Sequence, residues 1–594
     1  MVPLSGRNAI ESRNADATIL PEIVAKSHDF RQNQSRNQGE ISNQIKAFRI
    51  LHGRLSKLLS GVLAALIGFQ IMGQAPAAFA EARIERLTGG SELRTINGIA
   101  LAPDGTLVLT SVWSESIHRL DPTTGDISLL VAPGLGRSDD AAFSASGEMF
   151  WTDPISGVVR SIDANGKIRN VTTNMPGANS IAFSRDGNRL FIGQTFFDDD
   201  LWEVDPNGVN PPRLVVANTH GVNAFAFGPD GMIYGPVTRK DSLVRIDPES
   251  GALTVIATDL HHPVSARFDS KGQLYVLNGV DGSVVRIDPE TAETKLIATT
   301  SPAMDNMVIN RNDIAYLANM ADNAVVAVDL SSGSVRTLTT SKLAFATDIE
   351  TFRSESGDQI IVTDRTALRS VDSATGEVRE IARRMTSPLL FPSAIDVEGT
   401  RAVIVSELLT DRASSFVQLL DLSSGEFLQT IDNLDAPTDA LLLPTGEIVV
   451  AQARSGNLLR INGNDRHVLA AGLGIPTSLA KGPNNTVYVA EAGSNRLLAI
   501  SLVDGVVTEV ASGLDAPRSI AVAPDGSVVV LSGAGEVYVV NVASGEAELV
   551  ASGLAVGFLS EPYPRSGGVS VGSKGEIYVA ADRESAIYRI LLTQ

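Results

Sequence analysis

The sequence predicts an all-β chain of tandem β-propellers: two six-bladed rings, twelve four-stranded blades in all. Three observations predict it. One phrase recurs at nearly constant spacing, each recurrence consists of short apolar runs between Gly, Pro and Asp turns, and twelve recurrences can be aligned. The stretch 97–126, NGIALAPDGTLVLTSVWSESIHRLDPTTGD, shows the grammar. The run Ile99, Ala100, Leu101 meets the turn Pro103, Asp104, Gly105. A second run, Leu107 to Leu109, is followed by a polar break, a third run ending at Leu120 and the turn 121–125. Residues 127–131 supply a fourth strand. Four strands in about forty residues is the size of one propeller blade.

Taken in order, residues 1–45 are polar, rich in Asn, Gln and Ser, and without apolar period, which predicts a disordered leader. Residues 46–80 read as a signal peptide. Lys46, Arg49, Arg54 and Lys57 form a basic patch, an uncharged run covers 58–73, and Ala78-Phe79-Ala80 places small residues before a cleavage expected after Ala80. The alternative is an uncleaved anchor, for which a span wants about twenty apolar residues. A leader of this length also fits a translation start downstream of Met1. The body of the protein is thus expected to be periplasmic or secreted, and free of the membrane in its mature form.

The chain of 594 residues has no Cys and a formal net charge of −20. Removing 1–80 takes away nine basic and five acidic residues, leaving 39 Lys or Arg against 63 Asp or Glu, a net of −24. Such a surface repels nucleic acid and anionic lipid. It excludes partners better than it names one, and nothing in the sequence sets the oligomeric state.

Residues 81–94 form an N-terminal strand and linker. The first six copies begin at Asn97, Asp139, Asn179, Asn223, Val264 and Asp305, at spacings of 42, 40, 44, 41 and 41 residues, and define a first propeller over 95–340. Six looser copies, at Thr347, Ser393, Thr438, Thr477, Arg518 and Gly567, define a second over 341–594. A single large ring is the alternative. The last copy has only three strand candidates before residue 594, so the spare strand at 83–87 is expected to close the last blade.

In a propeller the innermost strand of each blade lines the central channel, and the residue just before it sits at the channel mouth. One alignment column therefore becomes a ring of side chains. In the first six copies that column carries oxygen donors at five of six positions, with only Val264 apolar; in the second six it carries no carboxylate, although Asp348 and Asp439 lie one residue further on. Converging carboxylate and amide oxygens suit a hard cation, Ca2+ first and Mg2+ second, with Asp139 and Asp305 balancing its charge. The alternative is that Asn and Asp simply serve the turns that lead into the strands, where they are favoured anyway.

The phrase NGIALAPDG around Asn97 resembles the ligand motif of the senescence-marker-protein/gluconolactonase family and of the paraoxonases, six-bladed calcium-dependent lactonases or esterases. The resemblance covers 95–335; residues beyond 340 match only the general repeat, of NHL type. It implies Asn97, Asn179 and Asn223 as metal ligands. The segment Met304-Asp305-Asn306-Met307 is similar to the paraoxonase segment whose adjacent Asp and Asn face the calcium, which adds Asp305 and Asn306. Arg137-Ser138-Asp139 is similar to the gluconolactonase Arg-x-Asn that holds substrate, making Arg137 and Asp139 candidate substrate-binding residues. Asn97 stands where gluconolactonases carry a Glu, and Asn223 where they carry the Asp that is ligand and base.

A lactonase needs a base to activate water. Asp139 and Asp305 are the carboxylates left for that role. His220, three residues before Asn223, and His262, beside His261 and before Val264, are candidate imidazole bases, with exposed loop histidines as the alternative. The reading is an exported divalent-metal-dependent hydrolase acting on a small lactone or ester. The alternatives are an NHL-type binding or scaffold propeller without enzymatic activity, and a lyase resembling virginiamycin B lyase. Two further stretches stand apart from the repeat. The insertion 196–200 is expected to be a solvated acidic loop, and 554–566 to lengthen the approach to the last copy.

Overall fold

The repeat's punctuation folds as turns. The carboxylate of Asp104 accepts the N–H of Thr106 at 3.0 Å, and Gly105 takes a φ of +88° that a side chain would resist. Asp121 does the same for Thr123 at 2.7 Å. Between such turns the runs form strands. In the computed structural model, which describes residues 82–592 apart from 136, 196, 355–356, 408–414 and 558–566, these strands assemble into twelve four-stranded antiparallel sheets. The only helical element among the described residues is one short 3-10 turn, Thr238–Lys240. No helix there is long and apolar enough to cross a membrane. The expected leader 1–45 and signal peptide 46–80 lie outside the described residues.

Within a sheet, burial follows position. The second strand is sandwiched between neighbouring sheets, so Met149–Asp153 and Leu274–Asn278 are buried at every residue. The outermost strand, such as Val507–Ser512, is exposed over much of its length. The core therefore lies between sheets. Leu93 of the preceding linker and Ile99, Leu107 and Leu109 of the first sheet pack with Tyr316, Ala318, Val325 and Ala327 of the sixth. Ile349, Ile360 and Val362 of the seventh pack with Tyr578, Ala580 and Ile587 of the twelfth. The inner strand Ile99–Leu101 accordingly lies against Met304–Ile309, and Asp348–Ser354 against Val569–Val571. This order of neighbours is that of two sets of six, as tandem propellers require, and not of one ring of twelve.

The strand closing the last sheet comes from the start of the described chain. Arg83–Gly89 pairs antiparallel with Ala586–Leu591, from Arg83 opposite Leu591 to Gly89 opposite Ala586. It extends two residues beyond the expected 83–87, and its Glu85 meets Arg589 at 2.6 Å.

The two sets meet through charged and aromatic side chains. Arg383, at the end of the seventh sheet's outer strand, grips both carboxylate oxygens of Asp322 in the sixth sheet's hairpin at 2.7 and 3.0 Å, and donates to the carbonyl of Pro302 at 2.9 Å. Trp113 from the first sheet stacks 3.8 Å from the Arg365 guanidinium and 5.2 Å from the Phe391 ring. Arg365 is ion-paired with buried Glu407. The side of the first propeller that carries its channel mouth therefore touches the second.

Candidate active site

The mouth of the first channel is positioned by hydroxyls of neighbouring residues, at or beside the ends of second strands and once on an inner strand. Thr110 Oγ1 donates to the carbonyl of Asp139 at 2.6 Å, and Thr152 Oγ1 to that of Asn179 at 2.5 Å. Ser180, on the inner strand Ala178–Phe183, donates to the Val222 carbonyl at 2.9 Å, and Thr238, which opens the 3-10 turn, to that of Pro263 at 2.8 Å, each one residue before the mouth. Gly98 makes room for the first of these. A Cβ there would stand 2.2 Å from the Asp139 carbonyl and 2.3 Å from Thr110 Oγ1, which is why Asn97 is followed by glycine.

In the second propeller the brace is made by the mouth residue itself. Thr347, Thr438 and Thr477 donate across to the carbonyls of Pro392, Pro476 and Pro517 at 3.1, 2.7 and 2.8 Å. The two rings thus solve one structural problem differently. In the second the mouth side chains are consumed by it; in the first they are released from it.

Released side chains are what the first mouth displays. Asn179 is 3% exposed, and its Oδ1 has no hydrogen-bond partner among the described residues. No hydrogen bond from the described residues reaches the carboxylate of buried Asp139. Burial raises the Asp139 carboxyl well above the usual range, and the nearby charges of Asp305 and Asp140 add to it. Burial likewise raises Asp305 to about 6, opposed by Arg384 and by the Asn97 amide. That amide donates to Asp305 Oδ2 at 3.4 Å, while Asn97 Oδ1 accepts the N–H of Val112 at 3.3 Å. Two carboxylates that raise one another's affinity for a proton also attract a cation. No three His, Cys, Asp or Glu side chains converge as a metal cluster among the described residues; the mouth offers two carboxylates, with its remaining oxygens from amides.

The other predicted residues divide. Asn223 stands at the mouth with its Oδ1 accepting from the N–H of Ala224 at 3.0 Å, which leaves a second lone pair. Asn306 does not join it. Its Oδ1 faces down the channel and accepts from the Met307 N–H at 2.7 Å, Arg267 at 3.1 Å and Ser265 at 3.2 Å. Successive residues of an inner strand point to different sides, so Asp305 and Asn306 do not face one ion. Arg137 lies 3.3 Å from Glu115. His220 is largely exposed and 3.9 Å from Asp199. His261 is also exposed and meets Asp281 at 2.5 Å. His262 is half-buried, and its imidazole is held below its ordinary value by burial and by Arg384. Of the 196–200 insertion, the Asp199 carbonyl accepts the Thr219 N–H at 2.8 Å and the Asp200 carboxylate the Asn218 N–H at 3.0 Å; residue 196 lies outside the described residues.

Sequence reasoning missed Asp140, Arg267 and Arg384. Asp140 follows Asp139, and burial raises it to about 6, with Arg267 opposing. The position three residues past the mouth reads Ala100, Ala142, Ala182, Ala226, Arg267 and Val308; these side chains line a 450 Å³ cavity at the opposite end of the channel. That column was legible in the repeats. Arg384 was not, because it belongs to the other propeller.

The family described as outer membrane protein assembly factor BamB matches residues 197–431, a span running from the third sheet into the eighth. A gluconolactonase of Zymomonas mobilis is 24% identical over 161 residues, 23% of this chain. The match spans 45% of that enzyme, less than half its length. Among solved structures, a protein assigned to the gluconolactonases is 16% identical at a TM-score of 0.35, covering 44% of this chain and 95% of its own. A catalytically inactive virginiamycin B lyase from Staphylococcus aureus, solved with quinupristin, is 14% identical at 0.31, covering 55% and 96%. Scores of this size carry no chemistry across.

Proposed function

We propose that this chain is an exported hydrolase of the gluconolactonase type, acting on a small lactone or ester at the mouth of the first propeller with the help of a divalent cation. Asp139, Asp305 and Asn179 would hold Ca2+, or Mg2+, with Asn223 in reach. The observation that carries the reading is the orphaned Oδ1 of buried Asn179 beside two mutually raised carboxylates. Three threonines at the second propeller's mouth, by contrast, spend their hydroxyls on neighbouring carbonyls. Held by these residues, such a cation would supply Lewis-acid polarisation of a substrate carbonyl. His262, whose imidazole burial and Arg384 hold below its ordinary value, is the base best suited to take a proton from water. The distant likeness to a gluconolactonase supports the class of reaction. Export would follow from cleavage after Ala80, which leaves the strand Arg83–Gly89 whole to close the last blade.

The test is elemental analysis of the mature chain from Glu81 onward, with Asp139→Asn, Asp305→Asn and the exposed control Glu548→Gln. About one Ca2+ or Mg2+ per chain is expected in the wild type and the control, and less in the two mouth variants. Turnover of gluconolactone or an aryl ester should vanish on chelation. No bound metal, and no change in Tm on adding Ca2+, would defeat this reading. It would favour a non-enzymatic scaffold, which the BamB-family match also supports.

A further inference from the structure

We infer that Arg384, supplied by the second propeller, is an anion-binding residue of the first propeller's mouth, so that the preferred substrate is a lactone or ester bearing a carboxylate; the inference rests on the hydrolase reading above. Arg384 follows the strand Val378–Arg383, whose last residue is fixed by Asp322, Glu380 and the Pro302 carbonyl. Its own N–H is bound to the Thr366 carbonyl at 2.9 Å, and Ser387 Oγ ties the following turn to the Arg383 carbonyl at 2.8 Å. The backbone that presents Arg384 is therefore rigid.

The side chain is carried over the Phe391 ring, 4.7 Å from its centre, to the edge of the first mouth. Its Nη1 lies 3.7 Å from Met320 Sδ. The same sulfur is 3.6 Å from Asn97 Nδ2, which in turn reaches Asp305 at 3.4 Å. Arg384 is also the main charge opposing the rise of Asp305.

Its neighbour Arg383 is saturated by oxygen acceptors, but the guanidinium of Arg384 has none among the described residues, and its Nε is buried without a partner. Sulfur and an aromatic face are weak substitutes for water. A desolvated guanidinium in that setting gains most from a carboxylate that accepts two of its N–H groups. The charge balance agrees. A divalent cation answers Asp139 and Asp305, which leaves the charge of Arg384 for one anionic group. The residue remains partly exposed, so a ligand can reach it.

The experiment uses the full mature chain with Ca2+ at low salt, and titrates D-glucarate, a hydroxy acid of the product class, by calorimetry into wild type, Arg384→Met and Arg384→Lys. The inference expects measurable binding to wild type, weakened at least about tenfold by Arg384→Met, and less by Arg384→Lys, which keeps the charge but not the fork. Equal binding in wild type and Arg384→Met, or none in wild type, overturns it. If the Met variant does not fold, undiminished binding to the Lys variant overturns it instead.

Turnover separates this inference from the hydrolase reading. The lactone of glucaric acid, which keeps a free carboxylate, is compared with uncharged gluconolactone. A fall in the ratio of kcat/KM for the acidic lactone to that for gluconolactone in Arg384→Met supports both, because any effect of the charge on His262 or Asp305 acts on the two substrates alike. Arg384-dependent glucarate binding with no hydrolysis of either lactone keeps the anion site and removes the hydrolase. Hydrolysis with a preference indifferent to Arg384 does the reverse.

Discussion

Replacing Asp348 by Asn should make the protein more stable at pH 8 and leave it unchanged near pH 4. The second propeller's channel holds four carboxyls, buried Asp396 and Asp439 and half-buried Asp348 and Glu350, against one lysine, Lys481, which contacts Asp396 at 3.1 Å and Glu398 at 2.9 Å. Burial raises Asp348 to about 7 and Asp396 to about 6, and it raises Glu350 and Asp439 well above the usual range. A carboxyl raised on folding binds its proton more tightly in the folded than in the unfolded state. Between its ordinary value of 3.8 and about 7, folding takes up a proton, so stability is lost as pH rises through that window.

A rise of about three pH units corresponds to about 4 kcal/mol as a ceiling. Asp348 keeps some contact with solvent and shares its field with Asp396, so about 1–2 kcal/mol is the expected gain from the neutral amide. Asn keeps a carbonyl oxygen for the Ile395 N–H, which Asp348 now binds at 3.0 Å. Urea unfolding at pH 4 and pH 8 measures the gain. A variant that is less stable than wild type at pH 8, or whose advantage is the same at both pH values, would refute the argument that ionisation in the channel carries the cost.

The first mouth yields three more expectations. Gly98→Ala drives a methyl into the Asp139 carbonyl and should cost about 3 kcal/mol in denaturant unfolding, with cation affinity falling in parallel. Thr110→Val removes the hydroxyl brace at nearly constant volume; a loss of about 1 kcal/mol is expected, along with weaker cation binding, because the Asp139 backbone is freed. With His262 as base, kcat/KM should rise with pH through a midpoint below 6.5, and His262→Gln should abolish that limb while leaving bound metal unchanged.

How much of this was legible in the chain can be argued from single residues. Pro103-Asp104-Gly105 reads as a turn because the geometry is local: one carboxylate, one nearby N–H and one glycine suffice. The closing strand was legible by counting, since a sheet short of its outer strand leaves an edge that another part of the chain must cover. The mouth column identified which residues share a rim, but not which atoms face it. Asn306 was expected beside Asp305 and instead turns its oxygen to Arg267. Asp348 and Asp439, noted as one step off the column, turn out to brace Ile395 and Leu479 of the next sheet.

The sequence alone determined the all-β repeat, the twelve sheets and the strand that completes the last one, because strand period, turn chemistry and repeat spacing act over short distances or by simple count. Tertiary structure alone decided that hydroxyls of other residues hold the first mouth and free its side chains, while threonines in the second ring spend theirs as braces. It alone decided that Arg384 crosses from one propeller to the other. Such relations depend on which sheets become neighbours, and a hydrogen bond or an unanswered charge between distant segments leaves no trace in the spacing of either.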